Sequence, residues 1–171
     1  DRKPPEEDEE QEETEGYTMY TDVNPQTVLA DGTETVWVYG KVVADQPEND
    51  GKAETATETI TFSKSGGYSN ALTPTGNTGM TGGYMAAEFV ASTPMGVKET
   101  FGTSSVVAKA YVGKKIVSGT QEVSMEFIPS ELYISFGCEY TEIVYGSSES
   151  ITLSAAVYSS NPDFNTEKLI E

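Results

Sequence analysis

From position 17 onward the chain reads as short runs in which apolar and polar residues take turns. In residues 35–44, Val36, Val38, Gly40 and Val42 fall on one side, and Trp37, Tyr39 and Lys41 on the other. Ile60 and Phe62 mark a second run within residues 55–63. Met85, Ala87, Phe89 and Ala91 share one side of a third. Val106, Ala108, Ala110 and Val112 follow, then Val123, Met125 and Phe127. A period of two puts each set on the buried face of a strand and leaves the intervening residues wet. Turn-forming stretches separate the runs: ADG at 30–32, QPENDGK at 46–52, a Gly-, Thr- and Asn-rich segment at 64–83 expected as a long loop, and GKK at 113–115. No segment keeps a helical period over about 10–12 residues, so helix content is expected to be minimal. About seven strands joined in this way predict an all-β domain of two antiparallel sheets packed face to face.

The pattern then recurs. Residues 27–45, TVLADGTETVWVYGKVVAD, echo residues 142–160, EIVYGSSESITLSAAVYSS, without a gap. Val36, Val38 and Val42 align with Ile151, Leu153 and Val157, and the alternation keeps its phase. The spacing is that of one sandwich domain, about 100 residues, plus a joint. A second copy is therefore expected to begin near Glu131, with only its first strands present by Glu171. Such strands lack a partner sheet and a closed core. They are read either as part of a second domain or as a segment for strand exchange with another chain.

Composition adjusts this picture at its ends. Residues 1–16, DRKPPEEDEEQEETEG, contain no apolar side chain and nine carboxylates, and are expected to be a disordered acidic tether. The whole chain carries 28 acidic and 10 basic residues, a formal charge of −18. A field of that sign repels phosphate backbones and anionic lipid, which argues against nucleic-acid partners. No run of 18 or more apolar residues is present, so no membrane-spanning helix is expected.

With the strands placed, several stretches in order resemble one family. They are VLADGTETVWVYGKVVAD, ETITFS, GYMAAEFVASTPMGVKET, SSVVAKAYV and EVSMEF, covering roughly residues 23–128. They resemble the bacterial immunoglobulin-like modules repeated in invasin- and intimin-type surface proteins. The resemblance implies an immunoglobulin-like β-sandwich over residues 17–129; the internal echo makes 130–171 a partial second copy or a strand-exchange segment. It also implies an extracellular, cell-surface location and a role as spacer or adhesive tip; a lipid or wall anchor in a flanking segment is one option beside it. Partners would be proteins, neighbouring immunoglobulin-like domains or subunits.

The candidate chemistry is sparse. There is no histidine, which removes the commonest general base and zinc ligand. No nucleophile elbow or phosphate-binding loop stands in the sequence, and the chain is read as non-catalytic. The single cysteine, Cys138, is read as a small apolar strand residue. Met80, Met85 and Met95 are read as core and loop packing rather than copper ligands. No cofactor is expected; calcium at Asp45, Glu48, Asn49 and Asp50 is the one alternative, without EF-hand spacing. Trp37, Tyr39 and Lys41 form the candidate contact surface. Paired outward aromatics can anchor a protein, a neighbouring domain or a glycan ring. Alternatively, a loop or residues 17–23 cover them. The chain is thus read as a structural or adhesive surface module in a tandem array. Two other readings stand beside it: a filament subunit assembled by strand exchange, and an accessory carbohydrate-binding module of a secreted enzyme.

Overall fold

The structure is a computed structural model that describes residues 16–129, 132–138, 144–146, 148, 150–159 and 168–170. The acidic segment 1–15 lies outside the described residues. Seven strands build the main body: β1 (Tyr17–Asn24), β2 (Thr27–Ala44), β3 (Thr61–Ser65), β4 (Leu72–Thr81), β5 (Tyr84–Ser92), β6 (Phe101–Val112) and β7 (Lys115–Phe127). One face runs β1-β2-β5-β4 and the other β3-β6-β7, with antiparallel neighbours throughout each. This division of four strands and three is the immunoglobulin-like sandwich, and among the described residues the fold is all-β apart from one α-helix and two short 3-10 turns.

Strand β2 belongs to both sheets. Its start, residues 27–30, pairs in parallel with β7, while its second part lies antiparallel between β1 and β5. The crossing is made at Asp31, where the register shifts before Thr35 and Gly32 takes a φ of 86° that favours glycine. The ADG signal therefore marks a kink inside one long strand rather than a turn between two.

The predicted alternation is what fills the interior. Val36, Val38 and Val42 are buried from β2, Phe89 and Ala91 from β5, Val106, Ala108 and Ala110 from β6, and Val123, Met125 and Phe127 from β7. Each such valine removed from water stabilises the fold by about 1.5–3 kcal/mol before entropy is counted. The core divides into a larger cluster around Phe89, Leu72 and Met125 and a smaller one around Met19, Val42, Ile60 and Val117.

Two segments depart from expectation. Residues 55–63 were expected as strand, yet helix α1 occupies Asp50–Glu58 and β3 begins only at Thr61. Ala53, Ala56 and Thr57 are the buried positions of α1, and Ile60 follows them into the core. That is helical spacing, but it is written in small residues whose apolar signal is weak. Residues 64–83 were expected as a loop, yet β4 lies there. It is an edge strand, exposed everywhere except Leu72, so no buried face imposes an alternating pattern on it. Pro74 and a bulge between Pro74 and Thr78 suit an edge.

A separate three-stranded sheet holds β8 (Leu132–Cys138), β9 (Leu153–Ser159) and β10 (Lys168–Ile170), in the order β10-β9-β8. Its first hairpin repeats the register of β1 and β2. Tyr17↔Ala44, Met19↔Val42 and Val23↔Val38 in the body become Leu132↔Ser159, Ile134↔Val157 and Cys138↔Leu153. Both strands are displaced by the same 115 residues.

Candidate functional site

The candidate surface arises from the strand period alone. Because Val36, Val38, Gly40 and Val42 point into the sandwich, Trp37, Tyr39 and Lys41 must point out of it, and all three are half-buried. Pairing then decides their neighbours. On β1, Asn24 stands opposite Trp37, Asp22 opposite Tyr39 and Tyr20 opposite Lys41. On β5, Glu88 stands opposite Trp37 and Ala86 opposite Tyr39. Residues 17–23, expected as one way of covering the aromatics, instead lie beside them as β1 in the same sheet.

The aromatics meet at Tyr84, at the start of β5. Tyr39 approaches it edge-on, with ring centroids 6.4 Å apart and planes at 88°. The Lys41 Nζ lies 5.6 Å from the centre of the Tyr84 ring, a cation held over an aromatic face. Two recesses open to solvent flank Tyr39. One is walled by Asp22, Asn24, Thr81 and Tyr84, the other by Trp37, Ala86 and residues 76–81 of β4.

One carboxylate on this face is fixed. Glu88 Oε1 accepts hydrogen bonds from Asn77 Nδ2 at 3.0 Å and Thr75 Oγ1 at 2.9 Å, both on the bulged part of β4. These bonds, with a smaller one from Thr35, hold the Glu88 carboxyl below its usual range, and partial desolvation opposes them. The face therefore combines rigid aromatic area, one oriented anion and one ring-bound cation. That equips it for recognition; nothing in it supplies an activated nucleophile.

The sequence singled out Trp37, Tyr39 and Lys41 but missed Tyr84, Glu88 and Asp22. Tyr84 and Glu88 were legible as the outward positions of the Met85–Ala87–Phe89 alternation. Asp22 depended on the register of β1, which no sequence signal fixed.

The other candidates separate. Met85 packs against the smaller core cluster, as expected, but Met80 and Met95 are exposed, and Met80 lines one recess instead of filling the core. Glu48 and Asn49 fall in a 3-10 turn (Pro47–Asn49) and Asp50 starts α1. Among the described residues no three carboxylates or thiols gather closely enough to hold a metal ion. No helix among the described residues is long and apolar enough to cross a membrane.

No family model matches the chain, and no curated protein matches it. Among solved structures, the adhesin InvE of Yersinia pseudotuberculosis aligns over 83% of the chain with 17% identity and a TM-score of 0.43. The chain spans 35% of the length of that protein.

Proposed function

We propose that the chain is a non-catalytic module of an extracellular surface protein, acting as a spacer in a tandem array and making protein contacts through the outer face of its four-stranded sheet. The observation that carries the contact role is the row of Trp37, Tyr39 and Tyr84, which lines solvent-open recesses on a sheet whose opposite side is dry core. Aromatic side chains on a rigid strand offer large contact area at little entropic cost, and such residues dominate the energetics of interfaces. The spacer role draws on hairpin β8–β9, which repeats the register of β1–β2. A strong net negative charge keeps such a module soluble while displayed. Attachment to the envelope would run through a flanking lipid or wall anchor.

Trp37 is the sole tryptophan, so its emission reports on this face alone. Beads coated with the chain are expected to adhere to cell surfaces, and the double variant Trp37→Ser, Tyr39→Ser to lose about tenfold or more of that adhesion, the scale of an interface hot spot. Its melting temperature should stay close to the parent's. Adhesion unchanged in the double variant rejects the contact role. A polysaccharide that shifts Trp37 emission, with no protein doing so, would favour the accessory sugar-binding reading instead.

A further inference from the structure

We propose that the recess at the end of the sandwich where the chain enters β1 is a docking site for carboxylates, and that its occupant is the acidic segment leading directly into it, residues 6–15 of this chain.

The recess has a volume of about 700 Å³ and lies between α1 and the turn that joins β6 to β7. Register places it. Tyr17 opens β1 opposite Ala44, the last residue of β2, and Val112 stands opposite Lys115 across the β6–β7 turn. Phe127, where β7 ends, pairs with Ala30 at the other end of the sandwich. Tyr17 and Tyr111 give the recess two aromatic walls, and Lys52 and Lys115 give it charge.

Positive charge gathers here against the trend of the chain. Residues 16–129 hold seven lysines and no arginine, and four of the seven are at this end: Lys52, Lys109, Lys114 and Lys115. Lys114 sits in the β6–β7 turn beside the recess. The Lys109 Nζ lies 5.3 Å from the centre of the Tyr111 ring, which carries its charge to the rim. Helix α1 sorts its side chains in the same sense. Ala53, Ala56 and Thr57 are buried, while Lys52, Thr55 and Thr59 border the recess. Asp50, Glu54 and Glu58 recur every four residues on another flank. Among the described residues no carboxylate lines the recess.

Reach and sign then select the occupant. Gly16 is part of the recess wall, and its carbonyl accepts from the Asp45 N–H at 2.9 Å, which fixes where the preceding residues arrive. Residues 1–15 carry nine carboxylates against Arg2 and Lys3. Consecutive Cα atoms are about 3.8 Å apart, so Glu12, Glu13 and Glu15 stay within about 15 Å of Gly16 along any path. Exposed ion pairs are individually weak. Tethering offsets that weakness, because a short linker holds its ligand at a millimolar effective concentration. An acidic segment of another molecule, dilute in solution, has to displace one that is already there.

Nitrogen-15 relaxation on the full 171-residue chain at low salt tests this. Amide order parameters over residues 12–15 are expected above about 0.6, the boundary of flexible backbone. Lys52→Glu with Lys115→Glu should bring them below it, as should 1 M NaCl, where the screening length is about 3 Å. Adding Glu12→Lys, Glu13→Lys and Glu15→Lys to that double variant should raise them again, a rescue that a structural role for the two lysines would not produce. Trp37 emission should stay native in every variant. Order parameters below 0.6 in the parent, or unmoved by reversing the lysines, overturn the proposal. So does a free peptide with the sequence of residues 6–15 that shifts the Gly51 and Gly113 amides of the parent as readily as those of a Glu12→Gln, Glu13→Gln, Glu15→Gln chain, because the parent's recess would then lack its own segment. None of these readouts involves the outer face at Trp37, so the contact role there and this docking fail separately.

Discussion

Single hydroxyls hold the sandwich together at two points where apolar packing cannot. Thr93, 1% exposed, donates from Oγ1 to the Ala30 carbonyl at 2.7 Å and accepts from the Ile128 N–H at 2.9 Å, while its own N–H also reaches Ala30 at 3.0 Å. It ties the first part of β2 to the chain leaving β7. Thr57 does the same for α1, accepting from the Val42 N–H at 3.0 Å and donating to the Ala53 carbonyl at 2.9 Å. Thr93→Val keeps the shape but strips the partner from the Ile128 N–H, and is expected to cost about 1–3 kcal/mol. Chemical denaturation should show the midpoint lowered with an unchanged slope; an unshifted midpoint would mean water replaces the bond. Neither threonine was legible as a core residue. A hydroxyl in a sequence reads as surface, and only the fold reveals which backbone groups it satisfies.

At the scale of elements, legibility followed burial. Strands β2, β5, β6 and β7 each bury one side in the sandwich, and their alternation was readable residue by residue. Helix α1 buries Ala53, Ala56 and Thr57, and β4 buries only Leu72, so the first had a faint period and the second none. The outward residues of β2 were legible for the same reason as its inward ones, whereas their neighbours on β1 waited on register. The kink in β2 is an element-level device with its own pH dependence. Asp31 Oδ1 accepts from the N–H groups of Thr33 and Glu34, both at 2.8 Å, and the Thr33 hydroxyl adds a further bond. These bonds hold its carboxyl below the ordinary value of 3.8. A carboxyl lowered by folding contributes stability that is complete above its unfolded value and is lost as pH falls through the folded one. Asp31→Ala should therefore destabilise the fold at neutral pH, and the gap between variant and parent should close as both are titrated below pH 3.8. A gap that stays constant to low pH would mean the carboxylate itself is not what holds the kink.

For the whole molecule, the echo at 115 residues was legible because both hairpins write their inner side in the same phase. What closes over the first hairpin was not legible, since its covering residues, Ile60, Ala108 and Val117 among them, are not contiguous with it. The two core clusters of the sandwich draw on residues from Met19 to Phe127, and among the described residues none of β8, β9 or β10 enters either. If stability resides in those clusters, the chain cut after Pro129 should unfold at the same temperature as the full 171 residues. Its transition should be as cooperative, because no core contact is removed. What should change is dye binding: a hydrophobic probe such as anilinonaphthalene sulfonate is expected to bind the longer chain more than the shorter, since Ile134, Phe136 and Leu153 leave with the cut. A shortened chain that melts several degrees lower would show that residues 130–171 brace the sandwich itself. Equal dye binding by both lengths would locate the exposed apolar surface elsewhere, and the hairpin would then no longer stand as an uncovered core face.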